Sequence, residues 1–269
     1  MDKRTKTFKG LIMLPVERQR YIQELAMKKK SVSVSELATD LDVSELTIRR
    51  DLDGLCSRGV LERTHGGATL RRNLNIEPDY LQKASECSKE KQAVGKLAAS
   101  LLDEGDTVYI NSGSTTLEVI KSILERNIDI TIVTNNIDAM WLCKSDGNVK
   151  IIFVGGYYRP KSHSVSGRLA FNLIDQIYAN KAIIGVDGFS PIAGLTTPVL
   201  EEADTTRAMI NHSVGSKIVV ATENKIGVVS NFKTVPIERV DVLVTDENGG
   251  NLLKNTEISK HIQVLIAKS

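Results

Sequence analysis

The run Asn111-Ser112-Gly113-Ser114-Thr115-Thr116 follows the apolar stretch Thr107–Ile110 and precedes LEVIKSILE, so it reads as a strand end, a tight turn and a helix start. A glycine there lets main-chain N–H groups approach an anion, the hydroxyls donate, and the helix N-terminus favours negative charge. The run has neither the Gly-Lys-Ser/Thr of a nucleotide P-loop nor the Gly-x-Gly-x-x-Gly of a dinucleotide site, so no ATP or NAD cofactor is expected. Further along, Asp187, Thr196, Thr197, Glu201 and Glu202 are the types that hold polyol hydroxyls, while Arg159 and Lys225 carry charge that can neutralise a phosphate. Plainer roles stand beside these. Asn135 and Asn136 can cap a helix, Gly155 and Gly156 can turn the chain, and Glu202 can be a first-turn carboxylate facing the helix dipole. Trp141, inside IDAMWLC, reads as packing rather than as a ring for sugar stacking.

A second group lies near the N-terminus. Ser33-Val34-Ser35-Glu36 has the form of a capping box opening a short helix that ends near Asp42. Ser44 can cap the next helix, ELTIRRDLDGLCSRG, in which Ile48, Leu52 and Leu55 share one face and Gly59 supplies the stop. Two short capped helices separated by three residues fit a helix-turn-helix whose second helix offers Glu45, Leu46, Thr47, Arg49 and Arg50 to the major groove. Arginine forks onto guanine or holds phosphate, and Thr47 can reach a base edge. Asp51 is better suited to orienting a basic neighbour than to touching DNA. VLERTHGGATL then reads as two strands turning at His65-Gly66-Gly67, a wing. His65 suits a turn or a phosphate contact, with no second ligand nearby to make it a metal site.

The elements that must position these groups follow from composition and period. The 269 residues, 41% hydrophobic, suffice for one large domain and a small one. Residues 1–75 carry 15 Lys and Arg against 10 Asp and Glu, and the remainder 20 against 23. The basic excess therefore sits with the helix-turn-helix, which fits a nucleic-acid partner. Cys56, Cys87 and Cys143 are too scattered for a disulfide framework or zinc site and are expected to be buried or half-buried thiols of a cytoplasmic protein. No apolar run is long enough to span a membrane, and residues 1–14 read as a basic arm. YIQELA gives a first helix with Tyr21, Ile22, Leu25 and Ala26 on one face, so the DNA-binding unit is placed at 15–70. A linker is placed at 71–84 around Pro78, and a larger domain at 85–269.

From Ser88 onward, Ile- and Val-rich runs alternate with helical stretches. Strands are expected at 107–110, 130–133, 150–154, 182–186, 217–221, 241–244 and 261–266, with helices from Thr115 and Ile137, over 168–178 and over 201–213. The alternation predicts a mostly parallel α/β sheet covered on both faces, with ligands beyond the carboxyl ends of the strands.

VSELTIRRDLDGLCSRGVLERTHGGA resembles the DeoR-type winged helix-turn-helix repressors, whose run reads Val-Ser-x-x-Thr-Ile-Arg-Arg-Asp-Leu and ends in Arg-x-His-Gly-Gly-Ala. The later segments are similar to the sensor domain of that family, related in fold to ribose-5-phosphate isomerase and coenzyme A transferases. The resemblance implies a DNA face of Ser44, Glu45, Thr47, Arg49, Arg50, Arg63 and His65. It implies an effector site of Asn111, Gly113, Ser114, Thr115, Thr116, Asn135, Arg159, Asp187, Thr197, Glu202 and Lys225 around a phosphorylated sugar. Asn111 stands where the family often has Asp, and Thr222 departs from the family's Asp-Ser-x-Lys. The implied partners are a double-stranded DNA operator, the sugar phosphate and further copies of the chain in a dimer or tetramer, with no membrane and no metal. Arg18, Arg20 and Arg71 are expected to add phosphate contacts. The alternative, a sugar-phosphate isomerase, has carboxylates and a lysine of the right types. It lacks the Lys-Gly-Gly-Gly run, because Asp187 is followed by GFSPIAGL, and it leaves the winged helix unexplained.

Overall fold

The computed structural model describes residues 13–29, 31–57, 60–70, 72–73, 77, 79–142, 147–253 and 262–268. The chain divides into two units, Met1–Arg72 and Asn73–Ser269. The expected basic arm, the Gly59 stop, Arg71, Pro78 and Cys143 fall outside the described residues, apart from Met13 and Leu14 of the arm.

In the first unit, α1 (Pro15–Lys29), β1 (Ser31–Ser33), α2 (Val34–Leu41), α3 (Glu45–Ser57), β2 (Leu61–Thr64) and β3 (Gly67–Leu70) follow the expected order. Ile22, Ala26, Leu37, Ile48, Leu52 and Leu55 form the core with Leu61 and Ala68 of the hairpin. Ser33 Oγ accepts from Glu36 N at 3.1 Å and Ser44 Oγ from Thr47 N at 3.2 Å, so both helix starts are capped as read. Asp42, in the left-handed region at φ 53°, ends α2. The three strands form one antiparallel sheet in the order β1-β3-β2. Of the two wing glycines only Gly66 takes a positive φ, 90°. Gly67 is needed for space, since a Cβ there would stand 2.0 Å from the Val32 carbonyl oxygen.

β4 (Arg72–Asn73) spans the boundary between the units in sequence. The segment expected to be a linker holds instead α4 (Tyr80–Ser85), opened by Asp79, whose side chain accepts from Leu81 N at 2.9 Å. Then come α5 (Ser88–Ala99), β5 (Thr107–Ile110), α6 (Ser114–Arg126), β6 (Ile130–Thr134), β7 (Val149–Phe153), β8 (Tyr157–Arg159), β9 (Ser164–Ser166) and α7 (Arg168–Ile174). They are followed by β10 (Lys181–Gly185), β11 (Gly188–Ser190), β12 (Gly194–Thr197), α8 (Leu200–Asn211), β13 (Lys217–Val220), β14 (Val229–Ser230), β15 (Phe232–Val235), β16 (Val242–Asp246), α9 (Glu247–Leu253) and β17 (Gln263–Ala267).

Seven strands make one parallel sheet in the order β17-β16-β13-β10-β5-β6-β7. Both faces are covered, as the apolar strands require. On β5, Val108 and Ile110 join the core formed with α5 and α6. Tyr109 between them points to the opposite face and donates to the carbonyls of Ile174 and Ile177 at 3.0 and 2.9 Å. The chain runs outward from β5 to β7, then returns to β10 on the other side, so the order reverses between β5 and β10. A parallel sheet opens a crevice at such a point, beyond the carboxyl ends of its strands. Two smaller antiparallel pieces, β8-β9 and β11-β12-β15, supply loops beside it.

Other expectations change in detail. Ile137–Leu142 is a 3-10 turn rather than an α-helix, and Trp141 on it is 84% exposed rather than packed in the core. Cys56 is half-buried but Cys87 is exposed. Among the described residues no helix is long and apolar enough to cross a membrane, and no His, Cys, Asp and Glu cluster could hold a metal ion.

Candidate functional site

The crevice is built around Asn111, the first residue beyond β5. Its Oδ1 accepts from Gly185 N at 2.8 Å, and its Nδ2 donates to Gly185 O at 2.9 Å and Thr206 Oγ1 at 3.2 Å. The donor and acceptor of one peptide residue fix the orientation of the amide, and asparagine serves both where aspartate can serve only the N–H. Asn111 thus ties β5 to β10 at the reversal point. It lines the cavity, but its polar atoms are engaged.

Asn135 acts likewise rather than as a helix cap. Its Oδ1 accepts from Ser112 N at 2.8 Å and its Nδ2 donates to Val165 O at 3.0 Å, which sets the path of the turn. Asn136 is the capping residue, accepting from Asp138 N at 3.1 Å. Thr116 is fully buried, and its hydroxyl donates back to Asn111 O at 2.7 Å and Gly113 O at 3.0 Å. Thr116, expected at the ligand, therefore lies outside the cavity lining and closes the turn from within.

Gly113 precedes α6 with φ 155° and ψ 156°, a combination open essentially to glycine, and no side chain caps the helix. α6 begins with main-chain N–H groups that have no helical acceptor, and Ser114 and Thr115 beside them line the cavity with Ser112 and Gly113.

The charged residues of the same cavity come from five segments of the chain. Asp187, between β10 and β11, receives Lys83 Nζ of α4 at 2.7 Å and the Thr197 hydroxyl of β12 at 3.0 Å. Burial pushes the Asp187 carboxyl up, but Lys83 and Lys225 outweigh it and hold the group below the usual aspartate range. Lys83 is pulled down by burial and raised overall by Asp187. Thr197 Oγ1 also stands 3.4 Å from Glu202 Oε2, so one hydroxyl lies between two carboxylates. Burial, and then the charge of Asp187, raises Glu202. Among the described residues the Lys225 ammonium has no hydrogen-bond or ion-pair partner, and burial, with the charge of Lys83 adding to it, lowers it despite Asp187. Such a lysine gains by meeting an anion. Lys91, lowered by burial and by Lys225, donates to the Lys83 carbonyl.

Arg159 is the other expectation displaced. It does not line the cavity but stands behind Glu202, 2.7 Å from Glu77 and 3.6 Å from Glu202 Oε1. Of the expected effector residues, Asn111, Gly113, Ser114, Thr115, Asn135, Asp187, Thr197, Glu202 and Lys225 come together in one cavity. The sequence reading missed Tyr80, Lys83, Glu86 and Lys91. The signal that could have found them is the capping Asp79 ahead of YLQKA, which marks a helix inside the supposed linker.

In the first unit the expected DNA face is exposed at Ser44, Glu45, Leu46, Arg49 and Arg50, with Thr47 half-buried, and His65 is exposed at the wing tip. Among the described residues the Arg50 side chain has no partner, whereas Arg49 Nη2 lies 3.1 Å from Glu45 Oε2. Arg63 is engaged with Asp53, Arg49 O and Gly67 O. Asp51 orients basic and polar neighbours as read: its Oδ2 is 2.5 Å from Arg18 Nε and its Oδ1 accepts from Gln19 Nε2 at 3.2 Å. This buried pair fixes α3 to α1 and removes Arg18 from the expected phosphate contacts.

Known proteins match both units. The DeoR-like helix-turn-helix domain matches residues 18–73, and the DeoR C terminal sensor domain matches residues 86–247. The uncharacterized HTH-type transcriptional regulator FruR of Bacillus subtilis is 34% identical over 87% of this chain and 92% of its own. The lactose phosphotransferase system repressor of Staphylococcus epidermidis is 27% identical over 91% of this chain and 96% of its own. Among solved structures, ribose 5-phosphate isomerase A of Methanocaldococcus jannaschii covers 52% of this chain and 54% of its own at 15% identity and a TM-score of 0.38. With the capped recognition helix and wing in one unit and the sensor domain matched across most of the other, this chain belongs to the DeoR family of helix-turn-helix transcriptional regulators.

Proposed function

We propose that this regulator represses a sugar-metabolism operon in the cytoplasm and that a phosphorylated sugar held in the sensor cavity controls its grip on DNA. The observation that carries this reading is one cavity with two kinds of binding group. The uncapped start of α6, with Ser114, Thr115 and the unpartnered Lys225, suits a phosphate, and Asp187, Thr197 and Glu202 suit hydroxyls. A relative named as a lactose phosphotransferase system repressor supports the sugar assignment. A phosphate with no sugar would use only the first group, and a neutral sugar only the second.

Thr47, Arg49 and Arg50 would read the operator, and copies of the chain in a dimer or tetramer would place two recognition helices on related half-sites. The effector shifts the population of DNA-competent arrangements only by its different affinity for them. The test is a gel shift on a duplex selected by the protein from a random-sequence pool, titrated with phosphorylated sugars and their unphosphorylated counterparts. The expected result is that a phosphorylated sugar changes the bound fraction and its counterpart does not. An equal response to both, or none to any, would remove the proposal.

A further inference from the structure

We propose that Arg63 and Asp53 form a brace that sets the angle of the wing against the recognition helix, so that Arg63 serves DNA binding by positioning rather than by contact. The proposal rests on the DNA-binding role of the family. The side chain of Arg63 leaves β2 and reaches α3: Nε lies 2.9 Å and Nη2 2.7 Å from Asp53 Oδ1, and Nη2 also donates to Arg49 O at 3.0 Å. Arg49 and Asp53 are four residues apart, on one face of the helix. Nη1 stands 3.5 Å from Gly67 O at the start of β3, so the guanidinium joins the helix to both strands of the hairpin. Guanidinium has five N–H donors, and hydrogen bonds to Asp53, Arg49 and Gly67 engage three of them, with Nη2 also held in the ion pair. All three guanidinium nitrogens thus face protein acceptors, whereas the Arg50 side chain has no partner among the described residues.

The hairpin needs such a brace. Glu62, Arg63, Thr64, His65 and Gly66 are all exposed, and its apolar anchors in the core are Leu61 and Ala68. Asp53 points the same way. Its side chain is 64% exposed beside Arg49 and Arg50, where a carboxylate opposes a polyanion. Removing that charge would by itself tighten DNA binding; removing a brace would weaken it. The two accounts therefore predict opposite signs for one conservative substitution.

The experiment measures affinity by fluorescence anisotropy, over a range of salt, for a duplex that the wild-type protein selects from a random-sequence pool. The variants are Asp53→Asn, Arg63→Ala, Arg63→Lys, the double variant Asp53→Asn/Arg63→Ala, and Arg50→Ala as a contact control. The expected result is about two- to fivefold weaker binding for Asp53→Asn, the size of a well-formed surface ion pair. Arg63→Lys, which cannot fork, should weaken binding comparably, and the double variant should be no weaker than Arg63→Ala alone. Arg50→Ala should lower the salt slope by about one, and Asp53→Asn should leave it unchanged. Equal or tighter binding by Asp53→Asn, or full affinity in Arg63→Lys, would overturn the proposal. If Arg63→Ala unfolds early in a thermal melt, the exposed and isosteric Asp53→Asn decides the matter alone.

Discussion

Lys83 Nζ lies 2.7 Å from Asp187 Oδ1, and this pair fastens α4 to the loop that follows β10 in the cavity of the second unit. The contact brings together residues 104 positions apart in sequence. Breaking it leaves a recessed ammonium without its counter-charge. Asp187→Asn should therefore cost about 1–3 kcal/mol of unfolding free energy near neutral pH. The sign of the pH dependence follows from Asp187 being held below its usual value. Its contribution is fully present above the unfolded carboxylate's pKa, about pH 4, and is lost as pH falls through the lower folded value. Urea melts of wild type and variant should differ by a constant amount around neutrality and converge in acid. Parallel curves down to the lowest pH would show that the pair contributes nothing.

The second prediction concerns Asn111, whose amide both donates to and accepts from Gly185. Asn111→Asp keeps the bond to Gly185 N but turns a carboxylate toward the Gly185 carbonyl oxygen. The expected loss is about 1–3 kcal/mol, greater above the pKa of the new carboxyl than below it. Chemical denaturation at neutral and mildly acidic pH measures both. A variant as stable as wild type at both pH values would show that the β5–β10 tie is not the work of this amide.

Both residues show how far the sequence could be read. The strand positions were legible in outline because the inner parallel strands are largely buried on both faces and so appear as short Ile- and Val-rich runs. The turn at Gly113 was legible because Gly113, Ser114 and Thr115 sit where a strand period gives way to a helical one. Local reading cannot separate a side chain that faces the ligand from one that shapes the loop behind it. Asn111, Thr116 and Asn135 are polar, lie at strand ends, and spend their polar atoms on main-chain groups of the fold. Arg159 is a similar case, since its partners Glu77 and Glu202 are distant in sequence. Lys83 was hidden because α4 is only 6 residues long and too short for a period to show. Arg63 matched the family run, but the carboxylate that occupies it lies ten residues upstream.

A third prediction follows from Lys225. Burial holds its ammonium below the ordinary lysine value, so this cation loses its proton at lower pH than a surface lysine. Binding of a phosphate dianion favours the charged form, raises the pKa and takes up a proton. Affinity for a phosphorylated ligand should therefore decline as pH rises through the lowered value. Calorimetric titrations in buffers of different ionisation enthalpy should report proton uptake on the alkaline side. Lys225→Arg should abolish that uptake. Uptake persisting unchanged in the arginine variant would assign it to another group.

The fourth prediction separates the two arginines of α3. The Arg50 side chain has no partner among the described residues, whereas Arg49 is held 3.1 Å from Glu45 on the exposed helix surface. Glu45→Gln releases Arg49 and removes a negative charge from the DNA-facing surface, so binding to non-specific duplex should tighten by a few-fold. Anisotropy titrations with calf-thymus fragments measure this. Weaker non-specific binding by Glu45→Gln would mean that Glu45 holds Arg49 in its DNA-bound pose.

The central claim is that the start of α6 and Lys225 hold the phosphate of a sugar. Differential scanning fluorimetry on wild type, Thr115→Pro and Lys225→Met, with a panel of pentose and hexose phosphates and the matching free sugars, addresses it directly. Proline at the second helical position removes one main-chain N–H from the anion site while keeping a backbone conformation the helix start accepts. A ligand that binds only the folded state raises the melting temperature. The account predicts at least one phosphorylated sugar that stabilises the wild type well beyond its free counterpart, with that gain lost in both variants. An equal response to free and phosphorylated sugars, or an undiminished response in Lys225→Met and Thr115→Pro, would contradict it.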